Sequence, residues 1–220
     1  MPSLPSRLAV YLVADPEQAR ADLPLVVHRA LEGGCTAVQL RAKHLSDRAL
    51  FALAVRVREA CAAHKALFVV NDRLDIALAS NAGGVHLGVD DLPVSEARRV
   101  AQQAGRSDLI IGYSPETDEQ AVTAAGAGAD YLGIGPVFGT ASKPDAGDAI
   151  GLSTLSRRAA ATTAPVIGIG GIEPENAGAV IEAGAVGVAV VGAILRTDDP
   201  AAAAQALSYA VMGAHRGPRE

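Results

Sequence analysis

The chain has 220 residues, half of them apolar, and a formal net charge of −5. This length suits one large domain, and the acidic balance disfavours nucleic acid or an acidic membrane surface as the main partner. Trp is absent and only three Phe and four Tyr occur, so we expect a core of aliphatic residues, as in α/β barrels.

The two cysteines, Cys35 and Cys61, form neither a C-x-x-C pair nor a zinc-binding spacing. Their apolar neighbours predict small buried side chains in a reducing compartment. The first residues lack the apolar run of a signal peptide, and the longest apolar run, 186–195, is too short to cross a bilayer. These features predict a cytoplasmic protein.

Short apolar runs alternate with segments of helical spacing along the whole chain. The runs predict eight strands, at 8–14, 36–40, 66–70, 84–87, 109–112, 131–134, 165–168 and 186–190. The other segments predict helices at about 22–32, 46–64, 73–80, 93–104, 115–126, 152–160, 174–183 and 200–212.

Strands that are apolar throughout are typical of a parallel sheet covered on both faces, and eight strand–helix units close a TIM (β/α)8 barrel. A doubly wound fold would place a G-x-G-x-x-G motif after the first strand, where this chain has Asp15-Pro16-Glu17. We therefore predict a single α/β barrel domain over residues 1–220, with short flexible ends at about 1–7 and 213–220.

The active site of such a barrel lies at the carboxyl ends of its strands. Gln39, Arg41 and Lys43 alternate at the end of the second strand, so they point to one side and suit a diphosphate beside a polar ring. The alternative is that these charges are merely solvated. No histidine offers a clear general base, since His86 lies inside a strand; His44 stands in a loop near the predicted rim.

Two carboxylates also follow neighbouring strands. Asp72 and Asp91 could approach each other, and two carboxylates with phosphate oxygens and water commonly hold Mg²⁺. Each could instead cap the helix that follows it. Their position on the same rim as Arg41 and Lys43 favours the metal site.

The sixth strand opens into a loop of small and hydroxyl-bearing residues that ends in Thr140, Ser142 and Lys143. Backbone N–H groups approach an anion closely where no Cβ intervenes, and hydroxyls and an ammonium add hydrogen bonds and charge. The loops after strands seven and eight, the usual phosphate position in these barrels, carry Gly170, Gly171, Gly192 and Ala193. The sequence thus predicts phosphate binding at this side of the rim.

Seven short motifs, in this order, resemble the thiamine phosphate synthase family over nearly the whole chain. They are Tyr11 in the first strand, Gln39-Leu40-Arg41-Ala42-Lys43, Asn71-Asp72-Arg73, Gly84-Val85-His86-Leu87-Gly88 followed by Asp91, Ile111-Gly112-Tyr113-Ser114, Gly135-Pro136-Val137-Phe138 with 140–143, and Gly170-Gly171-Ile172. The resemblance implies a TIM-barrel transferase that joins hydroxymethylpyrimidine diphosphate to thiazole phosphate, or its carboxylated form, and releases diphosphate. It implies phosphorylated small molecules as partners, no nucleic acid and no membrane, and leaves a homo-oligomer open.

The resemblance also implies roles for individual residues. Gln39 would contact the pyrimidine, Tyr11 would be a substrate-binding residue, and Asp72 and Asp91 would bind the cofactor Mg²⁺. The diphosphate would be held by Arg41, Lys43, Asn71, Ser114 and Lys143, and all of these except Asn71 would be catalytic. The thiazole phosphate would be held by Thr140, Ser142, Gly170, Gly171, Gly192 and Ala193.

The chain departs from the family pattern at Val89, Glu116, Gly139 and Gly192. Glu116 brings a negative charge near the expected diphosphate. Two alternatives therefore stay open: a thiazole tautomerase of the same fold, for which the resemblance implies a proton-transferring His where this chain has Glu116, and a non-catalytic barrel that binds a phosphorylated ligand.

Overall fold

Eight parallel strands form one closed barrel in the computed structural model, which describes residues 2–140, 142 and 147–216. The strands are β1 Val10–Ala14, β2 Ala37–Leu40, β3 Leu67–Asn71, β4 Gly84–Leu87, β5 Ile110–Tyr113, β6 Tyr131–Ile134, β7 Val166–Ile169 and β8 Gly187–Val190. Each pairs with the next along the chain, and β8 pairs with β1. The predicted TIM barrel is confirmed.

The described part of the chain also forms ten helices around the barrel. They are α1 Leu4–Arg7, α2 Leu23–Glu32, α3 Asp47–Ala63, α4 Leu74–Ala79, α5 Val94–Gln103, α6 Asp118–Ala124, α7 Gly151–Ala160, α8 Pro174–Glu182, α9 Gly192–Leu195 and α10 Pro200–His215. None of these helices has the length and apolar content that a bilayer crossing needs.

The strands bury both of their faces, which explains why they read as continuous apolar runs. In β1, Leu12 and its alternate neighbours pack outward against the helices, in the larger of two apolar clusters. Tyr11 and Val13 point inward and join the smaller cluster that fills the barrel. Cys35 and Cys61 are buried and unpaired, as predicted.

The parallel register brings the carboxyl ends of all strands to one rim. Gln39 in β2 lies opposite Val13 of β1 and Val69 of β3, so its side chain shares their inward direction. His86 in β4 lies opposite Asn71 on one side and Gly112 on the other. Polar side chains therefore enter the upper interior of the barrel from β2, β3 and β4.

Some predicted helix boundaries are wrong. Helix α6 begins at Asp118 rather than near Pro115, because Thr117 and Gln120 form a reciprocal capping box there. Helices α1 and α9 were not predicted, since four residues show no apolar period. Helix α1 and the extension of α10 to His215 also place regular structure inside the ends predicted to be flexible.

Candidate active site

A cavity of about 680 Å³ opens at the carboxyl rim of the barrel. It is lined by every predicted site residue within the described ranges: Tyr11, Gln39, Arg41, Lys43, Asn71, Asp72, Asp91, Ser114, Thr140, Ser142, Gly170, Gly171, Gly192 and Ala193. Lys143, the remaining predicted residue, lies outside the described residues. His44 does not line the cavity and lies instead 3.7 Å from Glu17 in an exposed pair.

The guanidinium of Arg41 is held by the carboxylate of Asp15, which was not predicted to belong to the site. Arg41 Nη1 donates to Asp15 Oδ2 over 2.8 Å, and Asp15 is only 5 % exposed. The second oxygen of Asp15 accepts the N–H of Glu17 at 3.0 Å, which fixes the carboxylate. This pair orients the planar guanidinium at the cavity wall. The sequence feature that could have indicated this pair is the acidic residue directly after β1.

Asp72 and Asp91 lie together opposite a lysine. Lys43 Nζ is 3.9 Å from Asp72 Oδ2. Burial, together with the adjacent Asp91 carboxyl, raises the pKa of Asp72 to about 6, although the positive charges of Lys43 and Arg41 act in the opposite direction. The negative charges of two neighbouring carboxylates favour a cation between them.

Neither aspartate caps the helix that follows it, so that alternative is wrong. The residue before α4 is Arg73, and the residue before α5 is Pro93; neither cap involves a side-chain hydrogen bond. Asp91 Oδ2 instead accepts the N–H of Gly88 over 2.6 Å, which closes the loop after β4 and fixes one side of the carboxylate.

A chain of hydrogen bonds crosses the barrel beneath the cavity. Gln39 Nε2 donates to the Tyr11 hydroxyl over 3.0 Å, and that hydroxyl lies 2.8 Å from the Tyr131 hydroxyl. His86 Nδ1 lies 3.0 Å from the Tyr131 hydroxyl, and His86 Nε2 lies 2.8 Å from Ser114 Oγ. Sequence reasoning missed Tyr131, whereas the predicted position of His86 inside a strand is confirmed, and the side chain is buried.

Tyr11, Tyr131 and His86, the interior members of this hydrogen-bond chain, are uncharged near neutral pH. Burial raises the pKa of both Tyr11 and Tyr131 well above the ordinary tyrosine value. Burial also lowers the pKa of His86 to about 4, and the charge of Asp91 offsets this only in part. A neutral imidazole holds one proton and accepts at its other nitrogen, so His86 is a hydrogen-bonding group here and not a proton acceptor for substrate.

Two glycines make room for these side chains. A Cβ on Gly112 would overlap both the Tyr131 ring and His86 Nδ1. A Cβ on Gly133 would lie 3.2 Å from Ser114 Oγ and 3.3 Å from the imidazole. The aromatic rings fit in the barrel because β5 and β6 carry no side chain at these two positions.

The opposite side of the cavity is built from small residues and two long polar side chains. Gln18 Nε2 donates to the carbonyl of Ser142 over 2.8 Å, and Arg196 Nη2 donates to Gln18 Oε1 over 2.7 Å. Asn176 Nδ2 donates to the carbonyl of Gly171 over 3.0 Å. Gln18 and Arg196 line the cavity and were missed by sequence reasoning, because no motif in the linear sequence joins the loops after β1 and β8.

Comparison with known proteins identifies the family. The model of the family described as "Thiamine monophosphate synthase" matches residues 10–194. The chain belongs to this family. A thiamine-phosphate synthase of Roseiflexus castenholzii is 47 % identical over 199 residues, which cover 90 % of this chain and 86 % of the relative. A "Thiamine biosynthesis bifunctional protein" of Symbiobacterium thermophilum is 48 % identical over 94 % of this chain, which spans 41 % of that longer protein.

Solved structures agree with this assignment. The thiamine phosphate pyrophosphorylase of Pyrococcus furiosus has a TM-score of 0.87 and 36 % identity, with 96 % of this chain and 99 % of that chain covered. A 3-hexulose-6-phosphate synthase, at 19 % identity and a TM-score of 0.67 over 92 % of this chain and 99 % of its own, shares the fold alone. The protein is therefore an enzyme of the transferase class, in thiamine biosynthesis.

The departures from the family pattern can be located within this enzyme. Val89 and Glu116 both line the cavity, and Glu116 is exposed. The main chain of Glu116 is fixed on both sides, since its N–H donates to Gln120 Oε1 and its carbonyl accepts from Arg158 Nη2, each over 2.8 Å. Exposure lets solvent screen this carboxylate from an anion in the cavity.

Replacing Gly112 with Ala tests whether the space beneath the cavity is essential. We expect Gly112→Ala to reduce the free energy of unfolding by about 3 kcal/mol, because the new methyl group displaces Tyr131 and His86 from their buried hydrogen bonds. Urea unfolding measures this. The control is Gly213→Ala in α10, where a Cβ meets nothing within 4 Å and stability is expected to stay equal or rise. Similar stability of the two variants would contradict the account.

Proposed function

We propose that this enzyme joins hydroxymethylpyrimidine diphosphate, whose ring carries an amino group, to thiazole phosphate and releases diphosphate; with the carboxylated form of the thiazole, CO2 is released as well. One observation carries the proposal: a single cavity has cations and paired carboxylates on the side of β2 to β4 and a rim of small, hydroxyl-bearing and backbone donors on the side of β6 to β8. Two anionic groups can thus be bound at once, and the cavity floor between them contains both apolar and polar side chains.

The diphosphate is proposed to lie at the first side. Lys43 and Arg41 supply charge, and Asn71 and Ser114 supply neutral hydrogen bonds. Lys143 is retained in this proposal on the family resemblance, since it lies outside the described residues. Gln39, at the edge of the barrel interior, is placed to meet the pyrimidine ring, with Tyr11 beneath it.

The thiazole phosphate is proposed to lie at the second side. Its hydroxyl and backbone donors are Thr140, Ser142, Gly170, Gly171, Gly192 and Ala193. Arg196 adds a cation here. A Cβ on Gly192, one of the positions at which the chain departs from the family pattern, would lie 3.4 Å from Arg196 Cδ, so the Arg196 side chain passes close to this residue. A guanidinium offers a phosphate both charge and paired donors.

Mg²⁺ fits the paired carboxylates. Within the described ranges, no group of three or more His, Cys, Asp and Glu side chains could hold a metal, so Asp72 and Asp91 would need oxygens from the diphosphate and from water. That division of ligands is how Mg²⁺ is usually bound beside phosphates. When bound, the ion would neutralise part of the negative charge on the leaving diphosphate.

The reaction asks the protein mainly to stabilise charge and to align two molecules. The bond between the pyrimidine methylene carbon and the diphosphate oxygen breaks, and its electron pair leaves with the diphosphate while the electron-rich ring disperses the positive charge. The lone pair of the thiazole nitrogen then forms the new C–N bond. Arg41 and Lys43 stabilise the departing diphosphate, and the opposite rim holds the nitrogen in line with the carbon. No side chain has to remove a proton.

An assay with both substrates and Mg²⁺ tests the proposed reaction. We expect thiamine phosphate and diphosphate in equal amounts from the purified protein. Conversion of a thiazole carboxylate phosphate to its aromatic isomer, without coupling, would instead support the tautomerase. Uptake of thiazole phosphate in calorimetry without any turnover would support a non-catalytic binder.

The metal site is tested with Asp91→Asn, which keeps an acceptor for the N–H of Gly88 but removes the charge. We expect the Mg²⁺ concentration for half-maximal activity to rise at least about tenfold, because a ligand carboxylate is lost. The neighbouring Asp90→Asn is the matched control, and its Mg²⁺ dependence should stay close to that of the unchanged enzyme. Equal Mg²⁺ dependence in both variants would remove Asp91 from the metal site.

The role of Arg196 is tested by substrate kinetics of Arg196→Gln. We expect KM for thiazole phosphate to rise about tenfold, since a charge-assisted contact to phosphate is lost, while KM for the pyrimidine diphosphate stays nearly constant. Arg99→Gln is the control, because Arg99 is exposed on α5 and pairs only with Glu96 and Gln103 among the described residues. A rise in both KM values, or in neither, would place Arg196 outside the thiazole phosphate site.

A further inference from the structure

The hydrogen-bond chain under the cavity has two ends that face the substrate. Gln39 at one end and Ser114 at the other line the cavity and come from β2 and from the loop after β5. Of the three residues between them, Tyr11 and His86 also line the cavity, Tyr131 does not, and all three are buried. All four links measure 2.8–3.0 Å, so the chain is continuous.

Counting hydrogens shows that such a chain has a direction. Each hydroxyl and a neutral imidazole can donate one hydrogen. Because Gln39 Nε2 donates to Tyr11, the hydrogen of Tyr11 goes to Tyr131. Tyr131 then donates to His86 Nδ1, and His86 Nε2–H donates to Ser114 Oγ. A reversal at any link would require every other link to reverse, or would leave a buried group without a partner.

The direction determines what each end offers the cavity. At one end Gln39 Nε2 donates one of its two hydrogens to Tyr11, so the amide is oriented with its carbonyl oxygen left as an acceptor. At the other end Ser114 accepts from His86, so its own hydrogen is left to be donated. The reversed chain would offer the opposite pair: an amide donor at Gln39, and a Ser114 oxygen whose hydrogen is already used.

We propose that Tyr11, Tyr131 and His86 are positioning residues that set this direction and thereby couple the two ends of the pyrimidine substrate. The inference rests on the proposed function and deepens it. An amino group on the ring needs the acceptor of Gln39, and a diphosphate oxygen needs the donor of Ser114. Both demands select the same direction of the chain, so a ligand that meets one end also prepares the other.

The coupling makes the site selective for a pair of features. A ring that presents an acceptor at the position of the Gln39 carbonyl oxygen turns the amide over, which reverses the hydrogen-bond chain and withdraws the Ser114 hydrogen from the anion. The penalty for a wrong ring group therefore appears partly at the anionic end, without any direct contact between the two ends. Gly112 and Gly133 are required for this arrangement, since the Tyr131 and His86 rings occupy the space next to these two residues.

The tautomer of His86 reports the direction directly. ¹⁵N NMR of the substrate-free enzyme, labelled at its five histidines, should show the His86 ring near neutral pH protonated at Nε2 and unprotonated at Nδ1. His86→Gln assigns the signal by its loss. A ring protonated at Nδ1, or at both nitrogens, would overturn the proposal. The measurement needs no turnover. Lack of activity would contradict the proposed reaction but would leave the His86 tautomer result valid.

Transmission along the chain is tested by reversing it from one end. In Gln39→Glu the ionised carboxylate only accepts, so Tyr11 must donate to it, and the proton of His86 should move from Nε2 to Nδ1. The carboxyl ¹³C signal of the new side chain identifies the pH range in which it is ionised. In that range, an unchanged His86 tautomer would overturn the coupling.

Tyr131→Phe supplies the matched control because it removes the central link and keeps the ring. In this background the His86 signal should no longer respond to Gln39→Glu. A response of equal size would mean that charge alone, and not the chain, moves the proton, and would overturn the role of Tyr131. A further readout is KM for the pyrimidine diphosphate, expected to rise about tenfold in Tyr131→Phe with KM for thiazole phosphate unchanged. A rise in both would indicate a merely structural role.

Discussion

Closure of the parallel barrel is the constraint on which the rest of the molecule depends. Because β8 pairs with β1, no strand edge is left unpaired, and both faces of each strand are covered. Polar side chains are then tolerated at the carboxyl rim or inside the barrel only where they find partners. The Asp15–Arg41 pair and the hydrogen-bond chain from Gln39 to Ser114 are two of the ways in which the described residues meet that demand.

The hydrogen-bond chain shows how a barrel floor can be both packed and polar. Tyr11 and Tyr131 fill volume among Val, Leu and Ala side chains, while their hydroxyl groups meet each other at the centre. The cost of burying these groups is offset only while every link persists, since a single unpartnered group would be desolvated without compensation. The absence of side chains at Gly112 and Gly133 is therefore as much part of the site as the aromatic rings are.

The order of strands and the composition of the rim follow from local sequence. Each buried strand is an apolar run, and whatever polar residue comes next must lie at the carboxyl rim, so Lys43, Asp72 and Ser114 were placed correctly at the cavity. Partnerships between distant residues leave no such local trace. Arg41 with Asp15, and His86 with Tyr131, are joined by the register of different strands and by side-chain length. The start of α6 was missed for another reason: the Thr117–Gln120 capping box outweighs the preference of Pro115 for a first helical turn.

The bridge made by Gln18 also bears on how the protein reaches its final form. Its side chain joins the carbonyl of Ser142 and the guanidinium of Arg196, across sequence separations of 124 and 178 residues. During synthesis, the loop after β1 leaves the ribosome long before either partner exists. The side of the cavity proposed for the thiazole phosphate can thus take shape only after the last strand has been made, whereas Arg41 and Asp15 both belong to the first two strand units. Chaperones and proteases would therefore meet nascent chains in which this side of the rim is still open.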